Sequence, residues 1–206
     1  MTILDRLAGT RLVAILRATT PDHLTDAAEI LVSEGLDCVE LPLTTPGALT
    51  ALADIRDRLG DAVALGAGTV LTSTQAADAV AAGATYLISP AVGADVIGWA
   101  VEHGVDVLPG ALTPTEIHAA HGLGARAVKL FPAGAVGPGY LTALRGPWPD
   151  LRIVATGGVD RDNARAWLAA GALALGVGSP LAGDALETGN LAGLRARARA
   201  WKETLT

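Results

Sequence analysis

The run Ala127-Val128-Lys129-Leu130-Phe131-Pro132 sets one lysine in the middle of an otherwise apolar segment. Read as a strand, its two-residue period sends Val128 and Leu130 to one side and Ala127, Lys129 and Phe131 to the other. If the first pair faces a layer of helices, Lys129 points into the interior of a sheet. An ammonium there loses water, and lysines are rarely buried without a partner or a task. The window by itself equally permits a lysine at a frayed strand end, snorkelling into solvent or paired with a carboxylate. The choice between these readings depends on whether other strands carry polar residues at comparable ends.

Outward from this run, one pattern recurs. Residues 12–16 form a continuous apolar stretch closed by Arg17, the profile of a strand buried on both faces. Thr20-Pro21-Asp22, ahead of a periodic run to Glu34, predicts a helix with an N-cap and a proline in its first turn, ended by Gly35. Strands over 38–43 and 62–67 are followed by helices over 46–59 and 73–82. Strands ending at Ser89-Pro90 and Pro109-Gly110 precede a helix over 94–102 and another opened by the capping-type start Thr113-Pro114-Thr115-Glu116. The lysine strand is the sixth, with a short helix around 139–144 after it. Residues 152–155 run into Thr156-Gly157-Gly158 and a helix over 160–169. Residues 172–177 run into Gly178-Ser179-Pro180, and 191–205 form the closing helix; a short helix over 2–8 leads the chain. Eight strand–helix units in 206 residues predict one α/β domain over 1–206, a closed parallel (β/α)8 TIM barrel with a short N-terminal helix and lean loops.

Composition narrows the function. Half of the residues are hydrophobic but only 3% are aromatic, so the core is expected to consist largely of Ala, Leu, Val and Ile. A net charge of −6 with no basic run gives no nucleic-acid surface. Arg195, Arg197 and Arg199 are spaced around a helix and read as a solvated face. Cys38 is the single cysteine, which excludes an internal disulfide and suits a reducing, cytoplasmic setting. Residues 12–16 are too short for a signal-peptide core. The longest uncharged run, 166–183, is broken by glycines and Pro180, unlike a membrane-spanning helix.

In such barrels the active site gathers where strands end and helices begin. Those positions carry Arg17, Glu40, Thr44, Thr69, Pro90, Lys129, Phe131, Thr156, Gly157, Gly158, Gly178 and Ser179. Glu40 alternates with apolar Val39 and Leu41 and so points inward, either as an ion-pair partner of Arg17 or Lys129 or as an acid–base group beside a buried amine. Arg17 suits bidentate binding of a carboxylate or phosphate, or a rim salt bridge. The small residues after the seventh and eighth strands let backbone N–H groups approach an anion, and Ser179 is expected to cap the short helix that Pro180 begins. His23, His103, His118 and His121 read as surface residues without metal-ligand spacing. Gly66-Ala67-Gly68-Thr69 lacks the third glycine of a dinucleotide fingerprint. Trp99, Trp167 and Trp201 fall on outer helices.

Taken in order, Val39-Glu40-Leu41-Pro42-Leu43-Thr44, Gly66-Ala67-Gly68-Thr69-Val70, Ile88-Ser89-Pro90, Pro109-Gly110, Val128-Lys129-Leu130-Phe131-Pro132, Thr156-Gly157-Gly158 and Gly176-Val177-Gly178-Ser179 resemble the class I 2-keto-3-deoxy-6-phosphogluconate (KDPG) aldolases over nearly the whole chain. The resemblance implies a compact (β/α)8 barrel, commonly a trimer, that cleaves the sugar acid to pyruvate and glyceraldehyde 3-phosphate with no cofactor and no metal. It implies Lys129 as the Schiff-base lysine and Glu40 as the acid–base residue. Thr69, Pro90 and Phe131 would surround the pyruvoyl half, with Arg17 on its carboxylate and Gly157, Gly158, Gly178 and Ser179 at the phosphate. Many members carry arginine where Thr44 stands, which leaves Arg17 to hold the carboxylate alone. Glu40-Leu41-Pro42-Leu43 is similar to the related 6-phosphogalactonate aldolases, yet those tend to have valine where Thr156 stands. Galactonate or 4-hydroxy-2-oxoglutarate aldolase activity is therefore the near alternative. A sugar-phosphate isomerase or epimerase with Glu40 as base, or a non-catalytic metabolite-binding barrel, are the more distant ones.

Overall fold

A computed structural model describes residues 2–205; Met1 and Thr206, the ends of the expected domain, lie outside the described residues. The strands are β1 (Leu12–Ile15), β2 (Cys38–Pro42), β3 (Ala64–Gly68), β4 (Tyr86–Ile88), β5 (Asp106–Leu108), β6 (Gly110–Ala111), β7 (Val128–Leu130), β8 (Ile153–Thr156) and β9 (Ala174–Val177). They pair in parallel in the order β5-β4-β3-β2-β1-β9-β8-β7-β6. The two ends of that order are the halves of the fifth strand, parted by Pro109, which has no N–H to give a ladder. The first half pairs with β4 and the second with β7. At the break the Gly110 N–H donates to the Ser89 carbonyl and the Lys129 N–H to the Pro109 carbonyl, both at 2.9 Å. The ring closes through this seam, so eight expected strands become nine segments.

Around the ring lie α2 (Leu24–Ser33), α3 (Ala48–Leu59), α4 (Ser73–Ala81), α5 (Ala94–Glu102), α6 (Pro114–Gly122), α7 (Pro138–Arg145) and α8 (Arg161–Ala169). Short α9 (Ser179–Ala182) and α10 (Ala185–Thr188) then lead to α11 (Leu191–Leu205). The expected capping box is present at α6, where Thr113 and Glu116 bond each other's backbone N–H. At α2 the expectation fails by one turn. Thr20 gives its hydroxyl to the Asp22 carboxylate rather than receiving a helical N–H, and the helix begins at Leu24 after a turn. Arg195, Arg197 and Arg199 are not a merely solvated face. Arg195 and Arg199 both pair with Glu34 of the α2 terminus, and Arg197 donates to the carbonyls of Leu181 and Ala182, pinning α9. Among the described residues no helix is long and apolar enough to cross a membrane.

The core is in two layers, as strand alternation requires. Val128, Leu130, Leu41 and Leu65 face the helices, where Trp167 and Trp201 are also buried. Val13, Cys38, Tyr86, Leu108, Ala127, Val154 and Ala174 fill the barrel's lower interior, and α1 (Ile3–Thr10) plugs it with Ile3, Leu4 and Leu7. That packing is possible because Gly66 has no side chain. A Cβ built there would lie 2.3 Å from the ring of Tyr86, which is fully buried and donates to the Val39 carbonyl at 2.9 Å. Gly66→Ala is expected to lower stability by roughly 1–3 kcal/mol, the usual cost of overpacking. Gly98→Ala, at an exposed position of α5 where nothing lies within 4 Å of the added carbon, is expected to raise it by about 0.5–1 kcal/mol. Urea unfolding of both variants checks the pair; equal effects of one sign would contradict it.

Candidate active site

The C-terminal strand ends open on a cavity of about 570 Å³, within the range of small-ligand sites. Arg17, Glu40, Thr69, Pro90, Lys129, Phe131, Thr156, Gly157, Gly158, Gly178 and Ser179 all line it. Thr44 does not; it lines a separate groove with Leu49 and Gln75 beside α3. Lining residues that sequence reasoning did not single out include Ile15, Asp160 and Glu187. Ile15 was available by alternation from Val13. Glu187 sits on α10, which no strand register positions.

Lys129 and Glu40 stand on β7 and β2, which lie across the ring from one another with β1, β9 and β8 between them on one side. Both are buried, at 8% and 2% exposure. The neighbouring strand is thinned beside each: Glu40 is in register with Gly66, Lys129 with Gly110 and Thr156 with Gly176. A Cβ on Gly68 would come 1.8 Å from Glu40 Oε1, and one on Gly176 would come 2.3 Å from Thr156 Oγ1. The Glu40 and Thr156 side chains therefore lean over bare backbone. Lys129 Nζ lies 5.0 Å from the centroid of the Phe131 ring, within reach of a cation–π attraction.

Among the described residues neither side chain forms a hydrogen bond or ion pair, so the expected pairing of Glu40 with Arg17 or Lys129 is not a contact. Burial pushes the Glu40 carboxyl above its ordinary pKa, while the cations of Lys129 and then Arg17 pull it partly back. Beneath the site, desolvation raises the Cys38 thiol to about 12, so Cys38 is no nucleophile. No cluster that could hold a metal ion occurs among the described residues. His103 and His118 are exposed, while His23 and His121 are half-buried away from the cavity.

The rim is held by unusual backbone. Gly157 and Gly158 both have positive φ, +82° and +81°, and the Gly158 Cα faces that of Gly134 so closely that a Cβ would meet it at 2.8 Å. A side chain is excluded there, and backbone N–H groups stay within reach of a ligand. Thr69 has φ +58°, a strained conformation for a β-branched residue that costs on the order of 1–3 kcal/mol and clusters at functional sites. Ser179 does not cap α9; Gly178 holds the N-cap position and Ser179 is the first helical residue.

Residues 3–196 match the family model of the KDPG and KHG aldolases. The 2-dehydro-3-deoxy-6-phosphogalactonate aldolase of Escherichia coli (strain K12) is 38% identical over 85% of this chain and 87% of its own length. The 2-dehydro-3-deoxy-phosphogluconate aldolase of Treponema pallidum (strain Nichols) is 33% identical over 82% and 80% respectively. Among solved structures, KDPG aldolase from Legionella pneumophila, with pyruvate captured at low pH as a covalent carbinolamine intermediate, superimposes with a TM-score of 0.91 at 27% identity, covering 97% of this chain and 98% of that one. With a model match along nearly its whole length and such identity to relatives across most of theirs, the chain belongs to the family of KDPG and KHG aldolases.

Proposed function

We propose that this protein is a Schiff-base aldolase that cleaves 2-keto-3-deoxy-6-phosphogluconate to pyruvate and glyceraldehyde 3-phosphate, with Lys129 as nucleophile and Glu40 as general acid–base. The observation that carries this reading is an amine and a carboxyl on opposite walls of one cavity, both buried and both unpaired by protein. The Lys129 amine adds to the C2 ketone, and loss of water from the carbinolamine leaves an imine. Removal of the C4 hydroxyl proton breaks the C3–C4 bond, releases the aldehyde and sends the electron pair through C3 into the protonated imine nitrogen. Protonation of the resulting enamine at C3 and addition of water return the amine and pyruvate. A carboxyl whose pKa is raised by burial is suited to carry these protons in both directions.

Arg17 takes the substrate carboxylate, Thr69, Pro90 and Phe131 enclose the pyruvoyl half, and the backbone at Gly157, Gly158, Gly178 and Ser179 takes the phosphate. Thr44, which turns toward another groove, is left out of this assignment. By family resemblance the enzyme is a homotrimer of the cytoplasm; exposed Leu49 and Leu71 near the α3–α4 groove are consistent with a subunit contact.

Incubation with pyruvate and borohydride is expected to add one reduced adduct per chain, mapped to Lys129. Lys129→Ala should lose both adduct and cleavage, while Lys202→Ala on α11 should lose neither. Absence of an adduct on active wild-type protein would overturn the aldolase reading in favour of an isomerase or a binding barrel.

The gluconate epimer is the proposed substrate because Thr156 brings a hydroxyl to the cavity. It donates to the Val154 carbonyl at 3.4 Å and keeps lone pairs for a substrate hydroxyl. A site that hydrogen-bonds a hydroxyl discriminates better than an apolar one. The kcat/KM ratio of the two epimers should favour gluconate and move toward galactonate in Thr156→Val; a wild-type preference for galactonate would contradict the assignment.

A further inference from the structure

The segment that carries Arg17 is fastened on both sides, and its fasteners have no place yet in the chemistry. Leu16 N–H donates to the Glu40 carbonyl at 2.9 Å. Ala18 N–H donates to Thr45 Oγ1 at 3.3 Å, and Thr45 is itself buried and fixed in the turn after β2, where its N–H donates to the Pro42 carbonyl at 2.9 Å. Thr19 N–H donates to Glu187 Oε1 at 3.1 Å, and Thr19 Oγ1 donates to Glu187 Oε2. Three of the four residues from 16 to 19 are thus tied to elements on opposite sides, β2 and α10. Among the described residues the Arg17 side chain, which lines the cavity, has no hydrogen-bond or ion-pair partner.

Glu187 is a peculiar lining residue for a site that binds an anionic sugar acid. It lines the same cavity as the expected phosphate end, where a carboxylate turned toward the ligand would repel it. Both of its oxygens, however, are engaged by one residue, and among the described residues no ion pair joins it to Arg17. The two donors stabilise the ionised carboxylate and direct its oxygens to the chain rather than to the ligand.

We propose that Glu187 and Thr45 are positioning residues that clasp the 16–19 segment and hold Arg17 at the substrate carboxylate. The proposal rests on the assignment of Arg17 to that carboxylate. It accounts for how a chain with Thr44 in place of a second arginine orients its carboxylate end. A lone guanidinium must meet a planar anion in a fixed plane to bind it bidentately, so the backbone beneath it has to be still. The clasp also joins the two ends of the cavity, because α10 follows directly on α9, which begins at Ser179. Substrate filling the phosphate end and substrate filling the carboxylate end therefore act on one connected frame.

The test is steady-state cleavage kinetics on the full chain with KDPG, using wild type, Glu187→Ala, Glu187→Gln, Thr45→Val, Arg17→Ala and the Arg17→Ala/Glu187→Ala double variant. Glu187→Ala should raise KM about tenfold, the scale of a lost charge-assisted hydrogen-bond pair, with kcat within about threefold of wild type. Glu187→Gln should recover most of the loss, since its amide oxygen accepts from the Thr19 N–H and its NH2 can donate to Oγ1. Thr45→Val should move KM in the same direction. In the Arg17→Ala background, Glu187→Ala should add less than about twofold, because a residue that acts through Arg17 has nothing left to position. If Glu187→Ala multiplies the Arg17→Ala defect by its full wild-type factor, or leaves KM unchanged while Arg17→Ala raises it, the clasp is wrong and Arg17 keeps its role. If Arg17→Ala leaves KM unchanged, the assignment of Arg17 falls and the clasp with it. Should Glu187→Ala fail to fold, Thr19→Val removes the hydroxyl half of the same pair and must show the same KM-selective defect.

Discussion

Space inside an eight-stranded barrel is the constraint from which the rest of this molecule follows. Small barrels are filled by their own inward side chains, so a ligand enters only where some of those side chains are missing. Here the vacancies are glycines on the strands beside the polar residues: Glu40 lies across Gly68 and Thr156 across Gly176, while the space over Gly66 goes to the Tyr86 ring. At Gly110 the space is also taken by chain, since a Cβ there would stand 2.3 Å from the Pro90 carbonyl oxygen. That contact belongs to the seam that closes the ring. The residue that lets the barrel close is thus also the one in register with Lys129.

The same constraint divides the interior by height. Below the glycines the barrel is dry, with Tyr86 and Cys38 packed against α1 and both ionisations driven upward by burial. Above them the walls recede, and an amine and a carboxyl stand across the axis from one another without touching. Burial raises the Glu40 carboxyl above its ordinary pKa, and the cation of Lys129 draws it partly back without a contact between them. A carboxyl free of a tight ion pair remains available to exchange protons with substrate.

Much of this was legible in the sequence because strands speak in a period of two. Alternation placed Lys129 and Glu40 inward, and the turn residues after each strand gave the rim. The failures share a cause as well: they concern contacts made between elements. Nothing in a sequence pattern tells that Pro109 splits a strand between two partners, or that Arg195 and Arg199 converge on Glu34. Thr44 follows a strand and was grouped with the site on that ground, but the chain turns outward after Pro42 and takes it to another groove. Glu187 reaches the cavity from a helix that no periodic signal anchors, on a segment 168 residues from its partner Thr19.

The coupling of Glu40 to Lys129 is the central physical claim, and infrared titration reads it directly. The band of a protonated carboxyl, isolated as the difference between wild type and Glu40→Gln, should persist to a pH above the ordinary glutamate range. In Lys129→Met it should persist higher still, because the cation that draws the pKa down is gone while burial remains. A Glu40 carboxyl that ionises at or below the ordinary value, or that ignores the loss of Lys129, would contradict the account.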